Sequence, residues 1–315
     1  MKQLNYRMLR STIFLIPVFL FSIHALKAQT ATDAIMMDKG QFCLDVMYNH
    51  DSWTEYWEGT KKRSNDNIGT FTRHTVGPMI DLGITHRINV LAGFAYVVTD
   101  PSAGQIAGSQ GFQNMNLDVK VNALETDLGP GKFSVLATLG FMTPISNYAP
   151  DEPFAIGLGC TEISLRPIVQ YKLNKGFYAR AQAGYNFRSN CKLNHDYYFT
   201  TQQYFSDEVD MPNAIDYSAT LGYFAPSNAF KAEATFDGFN TLGGFDMRIQ
   251  DMPFPSNQMI YTRVGGLFHY YPSFVKGLGV HVSASYVLSG RNVGQTTAIG
   301  GGINYTFQLW NKATK

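Results

Sequence analysis

The sequence has little charge for its length. Asp, Glu, Lys and Arg make up 16% of the 315 residues, whereas an average soluble domain carries roughly 25%. Its 25 basic and 24 acidic side chains leave a net charge of +1, so it lacks the basic field that holds a nucleic-acid backbone. Because disordered chains are rich in charge and poor in aromatics, an aromatic share of 14% excludes that class. We therefore expect a folded chain with no nucleic-acid partner.

Long apolar runs are also scarce. Beyond residue 28 the longest run covers residues 90–98 and contains a glycine, while a helix that spans a membrane needs about 20 apolar residues. The mean hydropathy of −0.13 agrees. A helical membrane protein is excluded.

The amino terminus has the pattern of an export signal. Three basic residues precede an apolar stretch at 13–21, and Ala25 and Ala28 precede Gln29. This order predicts a secretory signal peptide over residues 1–28. The alternative is an uncleaved anchor helix, which the short, proline-containing apolar stretch disfavours.

Apolar and polar residues alternate with period two along the rest of the chain. In residues 116–123, one face carries Leu117 and Val119, and the other carries Asp118 and Lys120. Such alternation indicates strands with one apolar and one polar face. Twelve segments share the pattern: 41–57, 70–84, 88–99, 114–125, 132–144, 159–173, 176–188, 213–225, 229–241, 257–271, 278–289 and 296–309.

The connections between these segments alternate in length. Long loops follow the odd segments except the last, and short turns follow the even ones. The long loops cover residues 58–69, 100–113, 145–158, 189–212 and 242–256. Short turns on one side and long loops on the other are typical of a transmembrane β-barrel. We therefore predict an all-β, antiparallel, up-and-down transmembrane barrel of about twelve strands. A secreted β-sandwich is the alternative, but the polar faces carry too many charges for a core between two sheets.

The predicted barrel occupies residues 40–310. We expect residues 29–39 to form a short periplasmic segment and residues 311–315 to form a tail. The sequence leaves open whether 29–39 is a plug or a free end.

If the polar faces point inward, acidic and basic side chains meet in the lumen. Seven acids and seven bases lie on these faces, and their near equality favours cross-strand ion pairs that brace the wall. The alternative is that Arg166, Arg180 and Arg263 line a narrow passage. The candidate lumen-lining residues are Asp118, Lys120, Glu162, Arg166, Arg180, Arg188, Lys231, Glu233, Asp237 and Arg263, and Asp45, Asp81, Asp216 and Arg73 complete the two sets.

One set of residues suggests catalysis. His281 and Ser283 share a face, and Asn304 lies on the neighbouring segment. Outer-membrane phospholipases on twelve-stranded barrels use a similar set, but on the outer wall, whereas these residues share the polar face. Because the residues after Ser283 also depart from that pattern, we predict no catalytic residue. No metal-ligand spacing stands out, and we expect neither a metal nor a cofactor.

Two cysteines come close together at the predicted outer rim. The turn near Asn174 brings Cys160 opposite the region of Cys191. Their parity puts them on opposite faces unless the strand ladder breaks near Asn190. A disulfide is permitted in an exported protein, and the sequence leaves its presence open.

Two stretches resemble a family of bacterial outer-membrane proteins named for the MetA pathway of phenol degradation. One strand ends at Thr143–Pro144, and after a loop Gly157–Leu158–Gly159 opens the next. The final strand, residues 302–307, is also similar to that of the family. The resemblance implies an outer-membrane transporter for small, often hydrophobic or aromatic compounds, and no catalytic residue.

The sequence thus predicts a passive channel in the bacterial outer membrane. Its expected partners are outer-membrane lipid, a small-molecule solute and the barrel-assembly machinery. The alternative is a structural or adhesive barrel with a plugged lumen, whose long loops 189–212 and 242–256 bind an external partner. An outer-membrane lipase comes third.

Overall fold

The computed structural model describes residues 30–105, 107–152, 154–199, 202–247 and 254–310. The predicted signal peptide and carboxy-terminal tail lie outside these ranges. Within them, no helix has the length and apolar character needed to cross a membrane.

Twelve antiparallel strands form one closed barrel. Each strand pairs with the next along the chain, and the last pairs with the first, so that Gln41 lies opposite Gln308. This architecture confirms the predicted up-and-down barrel. In chain order the strands are β1 (Gln41–Trp53), β2 (Phe71–Gly83), β3 (Ile88–Pro101), β4 (Gln110–Leu128), β5 (Gly131–Pro144), β6 (Glu162–Leu173), β7 (Phe177–Arg188), β8 (Ala214–Phe224), β9 (Phe230–Thr241), β10 (Ile260–Tyr270), β11 (Leu278–Arg291) and β12 (Thr297–Gln308).

The alternation of the sequence becomes the two faces of the barrel wall. On β4, Leu117 is exposed on the outside, while Asp118 and Lys120 are buried inside. Leu165 on β6 and Ile303 on β12 are likewise exposed. An apolar outer face is stable when it contacts the hydrocarbon of a membrane. A closed sheet also suits that environment, because it leaves no unpaired backbone groups where water is absent. The barrel therefore spans a membrane.

The first predicted segment is longer than its strand. The barrel strand ends at Trp53, and Glu55–Glu58 leaves the wall to pair with Lys61–Ser64. The amide of Trp57 donates to the carbonyl of Val293, 2.9 Å away. Alternation continues through this hairpin, so period two alone could not separate it from the wall.

The long connections lie at one end of the barrel, which we call the loop end, and the short turns at the other, the turn end. In the loop after β5, Phe154 and Ile156 are buried at the loop end. The Phe154 carbonyl accepts a hydrogen bond from Thr99 Oγ1 at 2.8 Å. The loop after β7 forms small hairpins of its own, Cys191–Lys192 with Glu208–Val209 and Tyr198–Phe199 with Gln203–Tyr204.

Candidate functional site: the barrel lumen

Residues 30–39, here called the N-terminal segment, lie inside the barrel. The segment enters at the turn end, where Gly40 N donates to the carbonyl of Gly83 at 2.7 Å. Deeper in the lumen, Thr138 Oγ1 donates to the carbonyl of Ala31 at 2.9 Å. The sequence left open whether this segment is a plug or a free end, and the structure places it in the lumen.

Asp33 anchors this segment. It accepts hydrogen bonds from Thr30 N at 2.7 Å, Ile35 N at 2.9 Å and Lys120 Nζ at 2.9 Å. Burial disfavours the charge of Asp33, but Lys120, Lys231 and Arg180 counter it and hold the pKa of the carboxyl below its ordinary value. The segment is thus fixed by a buried ion pair and by the turn that Asp33 closes on its own backbone.

The turn half of the lumen is filled. Lys120 is fully buried, although it carries a charge, and its ammonium also donates to the carbonyl of Ile35 at 3.3 Å. Apolar side chains that face inward from β3, β5 and β6 are buried at the same depth, together with Met37 of the N-terminal segment. These are Leu91, Leu136 and Ile168. This half holds a packed core instead of a pore.

The loop half of the lumen is open. It contains a cavity of about 550 Å³ whose floor includes Thr30, Asp33 and Arg180. Its lining is mostly polar or small: Asn49, Asp51, Arg73, Gln182, Asp216, Ser218, Thr220, Lys231, Glu233, Thr235, Asp237, Tyr261, Arg263, Gly265, Ser283 and Ser285 belong to it.

The structure places all ten candidate lumen residues on the inner face and brings most of them together in pairs. The nitrogen–oxygen distances in the four arginine pairs are 2.8 Å for Arg166–Asp216, 2.9 Å for Arg180–Glu233, 2.9 Å for Arg188–Glu162 and 3.2 Å for Arg263–Asp237. Lys231 lies 3.7 Å from Glu233. Asp118 accepts a hydrogen bond from Asn116 at 3.0 Å. Of the three arginines in the passage hypothesis, Arg180 and Arg263 line the cavity, and Arg166 is not among its described lining residues.

Asp33, Asp51 and Tyr178 contribute to the lumen but were missed from the sequence. Arg73 pairs with Asp51 at 2.7 Å, and the hydroxyl of Tyr178 donates to Glu233 at 2.5 Å. Asp51 lies on the same inward-facing side of β1 as Asp45, so the alternation could have identified it. Asp33 lies outside every alternating segment, so no periodic signal marks it.

His281, Ser283 and Asn304 all face the lumen, but they do not form a triad. His281 Nε2 lies 3.1 Å from Asp45 Oδ1, and Asn304 Oδ1 lies 2.7 Å from Nε2 of His269. Among the described residues no hydrogen bond joins Ser283 to His281. A methyl group on Gly302 would collide with the His281 imidazole, which explains part of the glycine run in β12.

Cys160 and Cys191 both carry free thiols. The β7 ladder ends at Arg188, so Cys191 turns into an apolar cluster with Cys160, Leu193 and Met211 at the loop end. Its thiol donates to the carbonyl of Leu158 at 2.7 Å. The strand ladder thus breaks near Asn190, and this brings the two cysteines into one cluster.

A family described as "Putative MetA-pathway of phenol degradation" matches residues 39–273. The chain belongs to this family. The match covers β1 to β10, and thus the wall that carries most of the lumen ion pairs. No curated protein matches the sequence.

Several solved structures are similar to this one. The outer membrane channel from Pseudomonas putida F1 is 13% identical, covers 89% of this chain and 100% of its own, and has a TM-score of 0.68. The NanC porin is 10% identical, covers 83% of this chain and 98% of its own, and has a TM-score of 0.46. The translocator domain of autotransporter NalP from Neisseria meningitidis is 13% identical, covers 86% and 90%, and has a TM-score of 0.46.

Proposed function

We propose that the protein is a passive channel for small solutes in the bacterial outer membrane. The observation that carries the proposal is the polar cavity of about 550 Å³ inside a wall whose outer face is apolar. A packed structural barrel has no need for such a space. The outer membrane channel from Pseudomonas putida F1 shares this fold, which supports the same role.

The lining favours small polar solutes. Arginine–carboxylate pairs such as Arg73–Asp51 and Arg263–Asp237 border the cavity. Because each charge already has a partner, the wall keeps a polar surface without a strong excess of one sign. We expect polar molecules to partition into it better than the hydrophobic or aromatic compounds implied by the family resemblance.

Placement in the outer membrane implies further partners. The apolar outer wall contacts lipid, and insertion of a closed barrel requires the barrel-assembly machinery, as the export signal would allow. The protein needs no catalytic residue, metal or cofactor for passive transport.

A sealed structural barrel is the second candidate, and one observation favours it. The N-terminal segment and the side chains around Lys120 fill the turn half of the lumen. In this alternative the segment never leaves, and the loops after β7 and β9 bind an external partner.

Liposome swelling separates the two candidates. The refolded mature protein and a variant lacking residues 30–37 would be reconstituted and exposed to arabinose or glycine. A channel predicts slow swelling for the full chain and swelling several times faster for the variant, because the plug is gone. A variant lacking residues 311–315 controls for shortening the chain. Swelling at the protein-free rate for all three would establish a sealed barrel.

A further inference from the structure

Three cationic side chains from separate strands meet around the carboxylate of Asp33. Lys120 on β4 contacts it at 2.9 Å, and Arg180 on β7 and Lys231 on β9 line the same cavity floor. Their side chains are only 0, 8 and 6% exposed, respectively. A cluster of buried cations is stable only when anions face it.

The carboxylates of the wall do not replace Asp33 beside Lys120. Glu233 is shared, since it lies 2.9 Å from Arg180 and 3.7 Å from Lys231. Asp81 is buried on β2 and interacts electrostatically with Lys120. Asp118 on β4 interacts with Lys120 in the same way. The ion pair described for the buried Lys120 ammonium, however, is the one with Asp33. Without Asp33 this ammonium would lose its direct partner, so the site calls for a carboxylate at that position.

Asp33 supplies that anion from a segment outside the strand ladder. The remaining hydrogen bonds to the wall within residues 31–35 are those from Thr138 to Ala31 and from Lys120 to Ile35. One of these comes from Lys120 itself, so an anion that takes Lys120 from Asp33 also weakens the hold on Ile35. The carboxylate and the position of the segment are thus linked.

We infer that Asp33 occupies a binding site for the carboxylate of a small monocarboxylic acid, which reaches the site through the loop-half cavity, replaces Asp33 and releases the N-terminal segment. This inference rests on the proposed channel function. Because the site and the cavity share a floor, a solute from the loop end meets Arg180 and Lys231 before it meets Lys120. Linkage then requires that a change that loosens the segment, and leaves Lys120, Arg180 and Lys231 intact, also strengthens binding of the acid.

Single-channel conductance of the refolded mature protein tests the inference without any mutation. Sodium propionate is the probe, propionamide is its uncharged counterpart, and sodium sulfate at equal ionic strength controls for screening. We expect propionate to raise the mean conductance about fivefold or more, as a coupling of ordinary size would. Propionamide and sulfate should leave it unchanged. An equal rise with sulfate would show simple weakening of the ion pair and overturn the carboxylate site.

Two variants sharpen the result. Lys120→Gln should raise the conductance without propionate and abolish the response to it. Lys132→Gln is the matched control, because Lys132 pairs with Glu125 at the exposed turn end, and it should behave as the wild type. If propionate has no effect while the variant lacking residues 30–37 conducts, the inference fails and the channel stands. If that variant does not conduct either, the proposed function itself has failed.

Discussion

The two halves of the lumen are built on the same strands but differ in what fills them. In the turn half, Met37 of the N-terminal segment and inward apolar side chains such as Leu136 are buried. In the loop half, small residues such as Ser283 and Gly265 leave a cavity between arginine–carboxylate pairs. The strands of the wall therefore determine only which side chains point inward. The size of those side chains and the position of the N-terminal segment determine whether the lumen conducts.

The loss of one partner of an ion pair should destabilise the protein more in the turn half than in the loop half. The Lys120–Asp33 pair is shielded from solvent, whereas the side chains of Arg263 and Asp237 are 37% and 21% exposed. Removing one partner of a buried pair leaves a charge that neither water nor protein stabilises. An exposed pair loses little, because water replaces the missing partner.

The largest expected difference follows from this contrast. Lys120→Met should lower the free energy of unfolding by about 3–5 kcal/mol, and Arg263→Met by no more than about 1 kcal/mol. Urea unfolding in detergent micelles measures both. The double variant Asp33→Asn/Lys120→Met should recover most of the loss. Equal losses for the two single variants would remove the distinction between the halves.

Apolar packing gives the next effect. Leu91→Ala creates a cavity in the filled half and should cost about 2–4 kcal/mol. Leu267→Ala removes the same atoms from a side chain that already borders the open cavity and should cost less than about 1 kcal/mol, since water already reaches the site. The same unfolding experiment tests this, and a comparable cost at both positions would contradict an open cavity.

Acid should loosen the plug. The lowered pKa of Asp33 means that its charge stabilises the folded arrangement above its ordinary pKa of about 3.9, and that this contribution is lost as the pH falls through the lowered value. Wild-type conductance should therefore rise below about pH 4. Asp33→Asn should conduct more at pH 7 and lack this rise. A rise of equal size in Asp33→Asn would assign the effect to other carboxyl groups of the protein.

Ser283→Ala should have the smallest effect. Ser283 borders the cavity but is not hydrogen-bonded to His281 in the described structure, so the substitution should leave stability, conductance and lipase activity in detergent at wild-type levels. Loss of a measurable lipase activity in this variant would instead support the phospholipase alternative.

The sequence was sufficient for the wall because its period is set by the membrane. Leu117 faces lipid and Lys120 faces the lumen, and this requirement produces the alternation of apolar and polar residues along the strand. Ile168 is the apolar exception among the polar, inward-facing residues of β6. It is buried in the filled turn half, which the alternation by itself did not predict.

The contents of the lumen were less predictable. Ion pairs between neighbouring strands, such as Glu162–Arg188, follow from parity and register. The pair between Asp33 and Lys120 joins a segment without periodicity to a distant strand, and the hairpin at Glu55–Glu58 alternates like the wall it leaves. These depend on three-dimensional contacts that local patterns do not encode.

A reversible lock on the N-terminal segment tests the central claim most directly. Ala31 and Thr138 meet through a 2.9 Å hydrogen bond, so Ala31→Cys/Thr138→Cys places two thiols where segment and wall touch. The oxidised double variant should fall to the background conductance of a protein-free bilayer, and dithiothreitol should restore wild-type conductance. The wild type, whose native cysteines are buried, controls for the oxidant. Equal conductance of the oxidised and reduced double variant would show that the segment does not control passage through the barrel.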